Sequence, residues 1–189
     1  MERVALIDLG SNTARLVIYD ILDGGYFVVF EDRHEAVRLG ETEIDGSLKQ
    51  TRIMQAIATL KTFKEMCAIK KVDKILAVAT AAVRSAANQK TFLSDVYNAT
   101  GIRVTVVSEE EEANYVYQGV INSMEIPRGL IMEIGGGHMF LAGLMAMIAT
   151  MIPATTSDIS WAPEYFFNVV NNIGRIFSIL KLSFFLFVF

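Results

Sequence analysis

The stretch Val4–Asp20, "VALIDLGSNTARLVIYD", decides the reading of this chain. An apolar run of strand type, Val4-Ala5-Leu6-Ile7, stops at Asp8. Gly10, Ser11, Asn12 and Thr13 follow, and a second apolar run resumes at once. Two such runs with a short polar link predict a β-hairpin. Turn chemistry alone accounts for glycine and asparagine at a tip. A carboxylate with three hydrogen-bonding side chains beside it asks for a second line of support.

That support lies at residues 130–144, "LIMEIGGGHMFLAGL". The order is again apolar run, acid, one apolar residue, glycine, two small residues, apolar run. Asp8-Leu9-Gly10-Ser11-Asn12 aligns with Glu133-Ile134-Gly135-Gly136-Gly137. Glycine turns the backbone tightly and lets a ligand approach the main chain. Consecutive amides in such a turn form an anion-binding concavity. Ser11, Asn12 and Thr13 add side-chain donors, and a strand-end acid beside a phosphate can hold Mg²⁺ directly or through water. Two such tips can clamp one phosphate chain.

Working outward, residues 3–8, 14–21 and 26–40 read as three successive strands. Asp45 or Ser47 is the expected cap of a long helix whose apolar face carries Ile53, Ile57, Leu60, Lys64 and Cys67, with Phe63 adjacent. Residues 74–80 read as a strand, 81–100 as one helix stopping at Gly101, 102–108 as a strand, 109–122 as a helix and 129–134 as a strand. The order β-β-β-α-β-α-β-α-β, a meander followed by alternating elements, predicts an α/β fold with a mixed sheet.

In "SEEEEANYVYQGV" (108–120), Ser108 and Glu111 fit a capping box, and Glu109 and Glu110 suit the positive pole of the helix. Glu112 does not belong with them. Helical spacing puts it with Val116, Gly119 and Val120 on the inward face, where a carboxylate is costly unless something compensates for it. Such a group can serve as a general base for water. Arg84 follows the strand at 74–80 and is placed to neutralise a phosphate, although a surface arginine fits equally well.

The chain has 189 residues, with 17 Lys+Arg against 21 Asp+Glu. No basic tract suggests a nucleic-acid surface. Cys67 is the single cysteine, so no intramolecular disulfide can form, which fits a reducing, cytoplasmic setting. His34 and His138 have no partners at zinc-ligand spacing, no GxxxxGK[ST] loop occurs, and the N-terminal apolar stretch is too short for a signal peptide. From Met139 onward charge almost vanishes. The apolar runs at 139–152 and 176–189 fall short of the ~20 residues that span a bilayer, which disfavours a membrane segment.

Four stretches, "IDLGSNTARLVIYD", "AVATAAVRSA", "VVSEEEEANYVYQGV" and "GLIMEIGGG", resemble in order and spacing the exopolyphosphatase / guanosine pentaphosphate phosphohydrolase family. The resemblance covers residues 3 to about 137. It implies a ribonuclease-H-like fold of the actin, Hsp70 and sugar-kinase superfamily, and Mg²⁺-dependent hydrolysis of terminal phosphoanhydrides in polyphosphate or guanosine pentaphosphate. By resemblance, Asp8 and Glu133 are metal ligands. Gly10, Ser11, Asn12, Thr13, Arg84, Gly135, Gly136 and Gly137 bind phosphate, and Glu112 is the catalytic base. The family's second loop reads Asp-x-Gly-Gly-Gly-Ser-Thr-Glu. Here Glu133, His138, Met139 and Phe140 replace its acid, serine, threonine and glutamate, so impaired activity is expected.

The expected organisation is a first actin-like subdomain at 1–125, the start of a second at 126–140, and an apolar tail at 141–189. The tail is either a divergent or anchoring segment or a truncated or frame-shifted product, and the second reading is favoured. A missing half-domain would leave apolar surface seeking a partner, which is compatible with a homodimer. The alternative function is a non-catalytic phosphate- or nucleotide-binding module.

Overall fold

The structure, a computed structural model, describes residues 1–24, 26–123, 131–134, 139–141 and 187–188. These fall in two compact units, Met1–Glu109 and Glu110–Phe189.

The first unit is built on a five-stranded sheet. Strands β1 (Glu2–Leu9), β2 (Thr13–Ile21) and β3 (Phe27–Ala36) form the antiparallel meander. Strands β4 (Lys74–Ala79) and β5 (Val104–Val106) run parallel to β1, giving the order β3-β2-β1-β4-β5. The mixed sheet is as the sequence predicts. Ala5, Ile7 and Leu9 of β1 and Ala14, Leu16 and Ile18 of β2 share one core with two helices, α1 (Gln50–Ile69) and α3 (Gln89–Thr100). Val4, Leu6, Val17 and Tyr19 are buried as well, between alternate core residues. A strand hidden on both faces reads as a continuous apolar run, which is why "VALI" does not alternate. Burying each large side chain of this set stabilises the fold by roughly 1.5–3 kcal/mol.

The register shifts between Ile18 and Tyr19, which pair with Glu31 and Val29 and leave Phe30 as the extra residue of a β-bulge. The bulge places Phe30 and Glu31 near the start of β1 and the end of α1. The Arg3 guanidinium lies 3.7 Å from the Phe30 ring centroid, and Lys70 Nζ is 3.5 Å from Glu31.

Strand β3 stops at Ala36 rather than continuing to residue 40, because Val37–Gly40 turns back to the first hairpin tip. The buried stripe of α1 is Ile53, Ala56, Leu60, Phe63 and Cys67. Lys64 is exposed and reaches the Thr100 carbonyl, so it does not belong to the apolar face assigned to it. Neither Asp45 nor Ser47 caps this helix. Its N-cap is Lys49, with no side-chain capping bond, and the Asp45 carboxylate instead accepts from the Ser47 amide at 2.9 Å. Residues 81–100 form two helices, α2 (Ala81–Arg84) and α3, rather than one. Asn88 stands at the break and exchanges two hydrogen bonds with the Leu48 backbone, at 2.9 and 3.1 Å.

In the second unit, α4 (Glu109–Ser123, its first residue at the boundary) runs close to its predicted span. Strands β6 (Ile131–Ile134), β7 (Met139–Leu141) and β8 (Phe187–Val188) form a small antiparallel sheet. Among the described residues, no helix is long and apolar enough to cross a membrane. The expectations for His138, Gly135, Gly136 and Gly137, and for most of the tail from 141, fall outside the described residues.

Candidate functional site

The C-terminal ends of the parallel strands β1, β4 and β5 meet at one edge of the sheet, the edge at which open α/β sheets bind ligands. Asp8 is the penultimate residue of β1. Its neighbours are Arg15 across the antiparallel pair with β2 and Val78 across the parallel pair with β4. Beyond it, the Thr80 amide donates to the Leu9 carbonyl at 3.3 Å, and the Val107 amide donates to the Ala79 carbonyl at 3.1 Å. The three strand ends are thereby tied together.

The tip closes on the pair Leu9–Ala14, and the Gly10 amide donates to the Thr13 carbonyl at 3.1 Å. A methyl group on Gly10 would lie 3.1 Å from that same oxygen, so the turn leaves little room for a side chain. The tip's other carbonyls turn towards residues 37–40. Asn12 O accepts from the Val37 and Arg38 amides, both at 2.9 Å, and Ser11 O accepts from the Gly40 amide at 2.7 Å. Gly40 permits that approach, since a β-carbon there would sit 3.3 Å from Ser11 Cβ. The Ser11 and Asn12 amides are not among the donors of the backbone bonds that fix the tip.

Arg84 ends α2. Its Nη1 donates to the Val107 carbonyl at 3.0 Å, and its Nη2 lies 3.6 Å from Glu109. Gln89 holds the turn behind it by donating to the Val83 and Arg84 carbonyls. The Arg84 side chain is mostly enclosed, so this is not the surface arginine that the sequence alone left open. Glu112 is buried, at 7 % exposed, whereas Glu109, Glu110 and Glu111 are exposed. The choice of Glu112 as the inward-facing acid of the four is therefore upheld in position.

Two residues near the tip were not singled out in the sequence. Arg15 is 8 % exposed and grips Asp32 through Nε–Oδ1 and Nη2–Oδ2 bonds of 3.0 and 2.6 Å. The guanidinium holds the Asp32 carboxyl below the usual carboxylate range by hydrogen bonding. His34 Nε2 lies 3.2 Å from the same carboxylate. A charged residue inside "TARLVIYD" was the available signal, but its partner is 17 residues away and only the strand register reveals it. Thr80 is also buried, at the N-terminus of α2, where its carbonyl accepts from the Val83 and Arg84 amides.

The second hairpin repeats the register of the first. Ile134 pairs with Met139 as Leu9 pairs with Ala14, and Glu133 pairs with Phe140 as Asp8 pairs with Arg15. Each closing pair encloses four residues, 10–13 in one case and 135–138 in the other. The weak internal repeat in the sequence is thus a repeat of strand pairing.

Comparison with known proteins bears on this arrangement. A family model described as the Ppx/GppA phosphatase family matches residues 17–142. Exopolyphosphatase 1 of Mycobacterium leprae is 28 % identical over 143 residues, covering 74 % of this chain and 42 % of the relative. A bifunctional 3-dehydroquinate synthase/phosphatase of Fusobacterium nucleatum is 27 % identical over 175 residues, 87 % of this chain and 26 % of its own. The chain therefore spans less than half the length of these two curated relatives. The crystal structure of the Aquifex aeolicus Ppx/GppA phosphatase superposes with a TM-score of 0.65 at 36 % identity, covering 74 % of this chain and 47 % of that one. That likeness establishes the ribonuclease-H-like, actin-type fold which the motifs imply. With a model match over two thirds of its length and a solved relative on the same sheet, the chain belongs to the Ppx/GppA phosphatase family.

Proposed function

We propose that this chain acts on phosphoanhydrides, binding inorganic polyphosphate or guanosine pentaphosphate and releasing the terminal phosphate. The observation that carries the reading is the first hairpin tip. Its Ser11 and Asn12 carbonyls are engaged by residues 37–40, which braces the tip from outside, and the consecutive amides of the turn are the donors proposed for an anion. Thr13 and Arg84 supply further donors to the same phosphate, and Gly135–Gly137 have that role in the second hairpin.

Asp8 and Glu133 would hold Mg²⁺. Among the described residues, no group of three or more His, Cys, Asp or Glu side chains could hold a metal. A magnesium ion bound by one or two carboxylates completes its shell with phosphate oxygens and water, and Asp8 and Glu133 would be those carboxylates. When bound, the ion would offset charge on the phosphate oxygens. Glu112 takes a proton from water as the water oxygen attacks the terminal phosphorus. The bridging P–O bond breaks, and the electron pair leaves on the shortened chain.

A second reading, a binding module without turnover, is favoured by Phe140. It stands opposite Glu133 in the place where the first hairpin has a cation. The test is Mg²⁺-dependent phosphate release from polyphosphate and from guanosine pentaphosphate. Release by the full chain, reduced about 10²–10⁴-fold in Glu112→Gln, is expected for the hydrolase. Binding of either ligand without release would establish the second reading.

A further inference from the structure

We propose that Asn88 is a positioning residue for the phosphate site: it ties the turn that carries Arg84 to the segment that braces the first hairpin tip. The inference rests on the phosphate reading of the tip and of Arg84, and it adds the element that holds the two in register.

The chemistry of the position comes first. Asn88 is the N-cap of α3. An asparagine there ordinarily accepts from the first-turn amides of its own helix. Asn88 makes no such bond. Its Oδ1 accepts from the Leu48 amide at 2.9 Å, and its Nδ2 donates to the Leu48 carbonyl at 3.1 Å. The Ala87 amide donates to the Gly46 carbonyl at 3.2 Å, so residues 87–88 are joined to residues 46–48 by side chain and main chain together. Capping of α3 does not account for this choice of partner, whereas a link to the 46–48 segment does.

Each side of the link leads to one part of the site. On one side, Leu48 bridges to Thr42, the Glu43 amide donates to the Ser47 carbonyl at 2.8 Å, and the Glu41 amide donates to the Arg38 carbonyl at 3.0 Å. Residues 37–40 then grip the Ser11 and Asn12 carbonyls. On the other side, Gln89 follows Asn88 directly, and its Nε2 donates to the Val83 and Arg84 carbonyls, both at 3.1 Å. The circuit closes through the strand ends. The Arg84 amide donates to the Thr80 carbonyl at 2.9 Å, and the Thr80 amide donates to the Leu9 carbonyl at 3.3 Å. Of these two routes between the Arg84 backbone and the tip, only the shorter would survive the loss of Asn88. That route runs through α2, a single turn of four residues, and one helical turn is a weak support by itself.

The test titrates pyrophosphate calorimetrically into the full chain with Mg²⁺ present. Asn88→Ala should weaken binding about tenfold, within the range of coupling in one hydrogen-bond network. In an Arg84→Ala background the same substitution should change affinity less than about twofold, because the group it positions is gone. Asn88→Asp keeps the acceptor for the Leu48 amide and suits an N-cap, so it keeps the fold where alanine does not, with a smaller loss. Gly101→Ala is the control for stability alone. It strains the other end of α3, where φ is 70°, and should lower the thermal midpoint without changing affinity. A second readout needs no ligand: exchange of the Arg38 and Gly40 amides should quicken in Asn88→Ala and not in Gly101→Ala. Additive losses in the double variant, an equal affinity loss in Gly101→Ala, or parent-like affinity in the Asn88 variants overturn the positioning role. Unchanged exchange at Arg38 and Gly40 overturns the tie itself. A parent that binds no pyrophosphate, or an Arg84→Ala variant that binds as the parent does, overturns the phosphate reading and the positioning role with it, and the exchange rates still show whether the tie exists.

Discussion

The two hairpins have the same pairing register and different surroundings for the acid. In the first, Asp8 faces Arg15 across the ladder, and Arg15 is itself neutralised by Asp32. In the second, the longer Glu133 faces Phe140. The backbone device is thus duplicated, but the charge arrangement is not. The acid of the first hairpin thus has a cation at its register position, one that is tied to another carboxylate. Glutamate carries one more rotatable bond than aspartate, which suits the near-ideal octahedral demands of Mg²⁺ less well. The first hairpin is therefore expected to carry most of the binding.

The largest effect should come from separating the two acids. Asp8→Asn should lower Mg²⁺-dependent phosphate release about hundredfold or more, and Glu133→Gln less than tenfold, reflecting unequal shares of the metal's charge compensation. Initial rates at saturating Mg²⁺ measure both. Equal losses would show that the second hairpin works as hard as the first despite Phe140.

A smaller effect, on stability, comes from making the first hairpin resemble the second. Arg15→Met keeps the apolar stem and removes the charge, leaving Asp32 without its strong partner. Breaking a fully buried pair costs about 3–5 kcal/mol. Asp32 is 35 % exposed, so about 2 kcal/mol is expected here. The pH dependence has a definite sign. The folded-state pKa of Asp32 lies below its ordinary value of 3.8, so the pair's contribution is present above about pH 4 and is lost as pH falls through the folded value. Denaturant titrations should show a gap between parent and variant at pH 7 that closes under acid. A gap unchanged down to pH 2 would assign the loss to packing instead.

How far the sequence could be read follows the same division. The first hairpin, the order of elements and the inward position of Glu112 were all legible because each depends on local pattern: an apolar run, a turn set, a 3.6-residue period. What escaped depends on residues far apart in the chain. The Arg15–Asp32 pair needs the β2–β3 register. The break between α2 and α3 carries no proline or glycine, and Asn88 instead spends its side chain on Leu48, 40 positions earlier. Asp45 was an equally good local candidate for the α1 cap, but its carboxylate closes its own turn on Ser47. The end of β3 was misplaced for a related reason: the amides of residues 37–40 are claimed by the tip of another hairpin.

That last contact gives the subtlest way to probe the comparison, because it supports the first tip from outside. Gly40→Ala would place a methyl group 3.3 Å from Ser11 Cβ and 3.4 Å from Ser11 O. The contact is tight rather than impossible, so a shift of a few tenths of an ångström should relieve it, at a cost of about 1 kcal/mol. The shift would come from the tip, since the 37–40 segment is fixed on its other side by the buried Val37 and Leu39. Ser11 would then move, and its amide with it. Pyrophosphate affinity should fall several-fold while the thermal midpoint drops only slightly. If affinity stayed at the parent value while stability fell, the 37–40 segment would be a brace for the fold alone, and the anion-binding competence of the tip would reside wholly in residues 10–13.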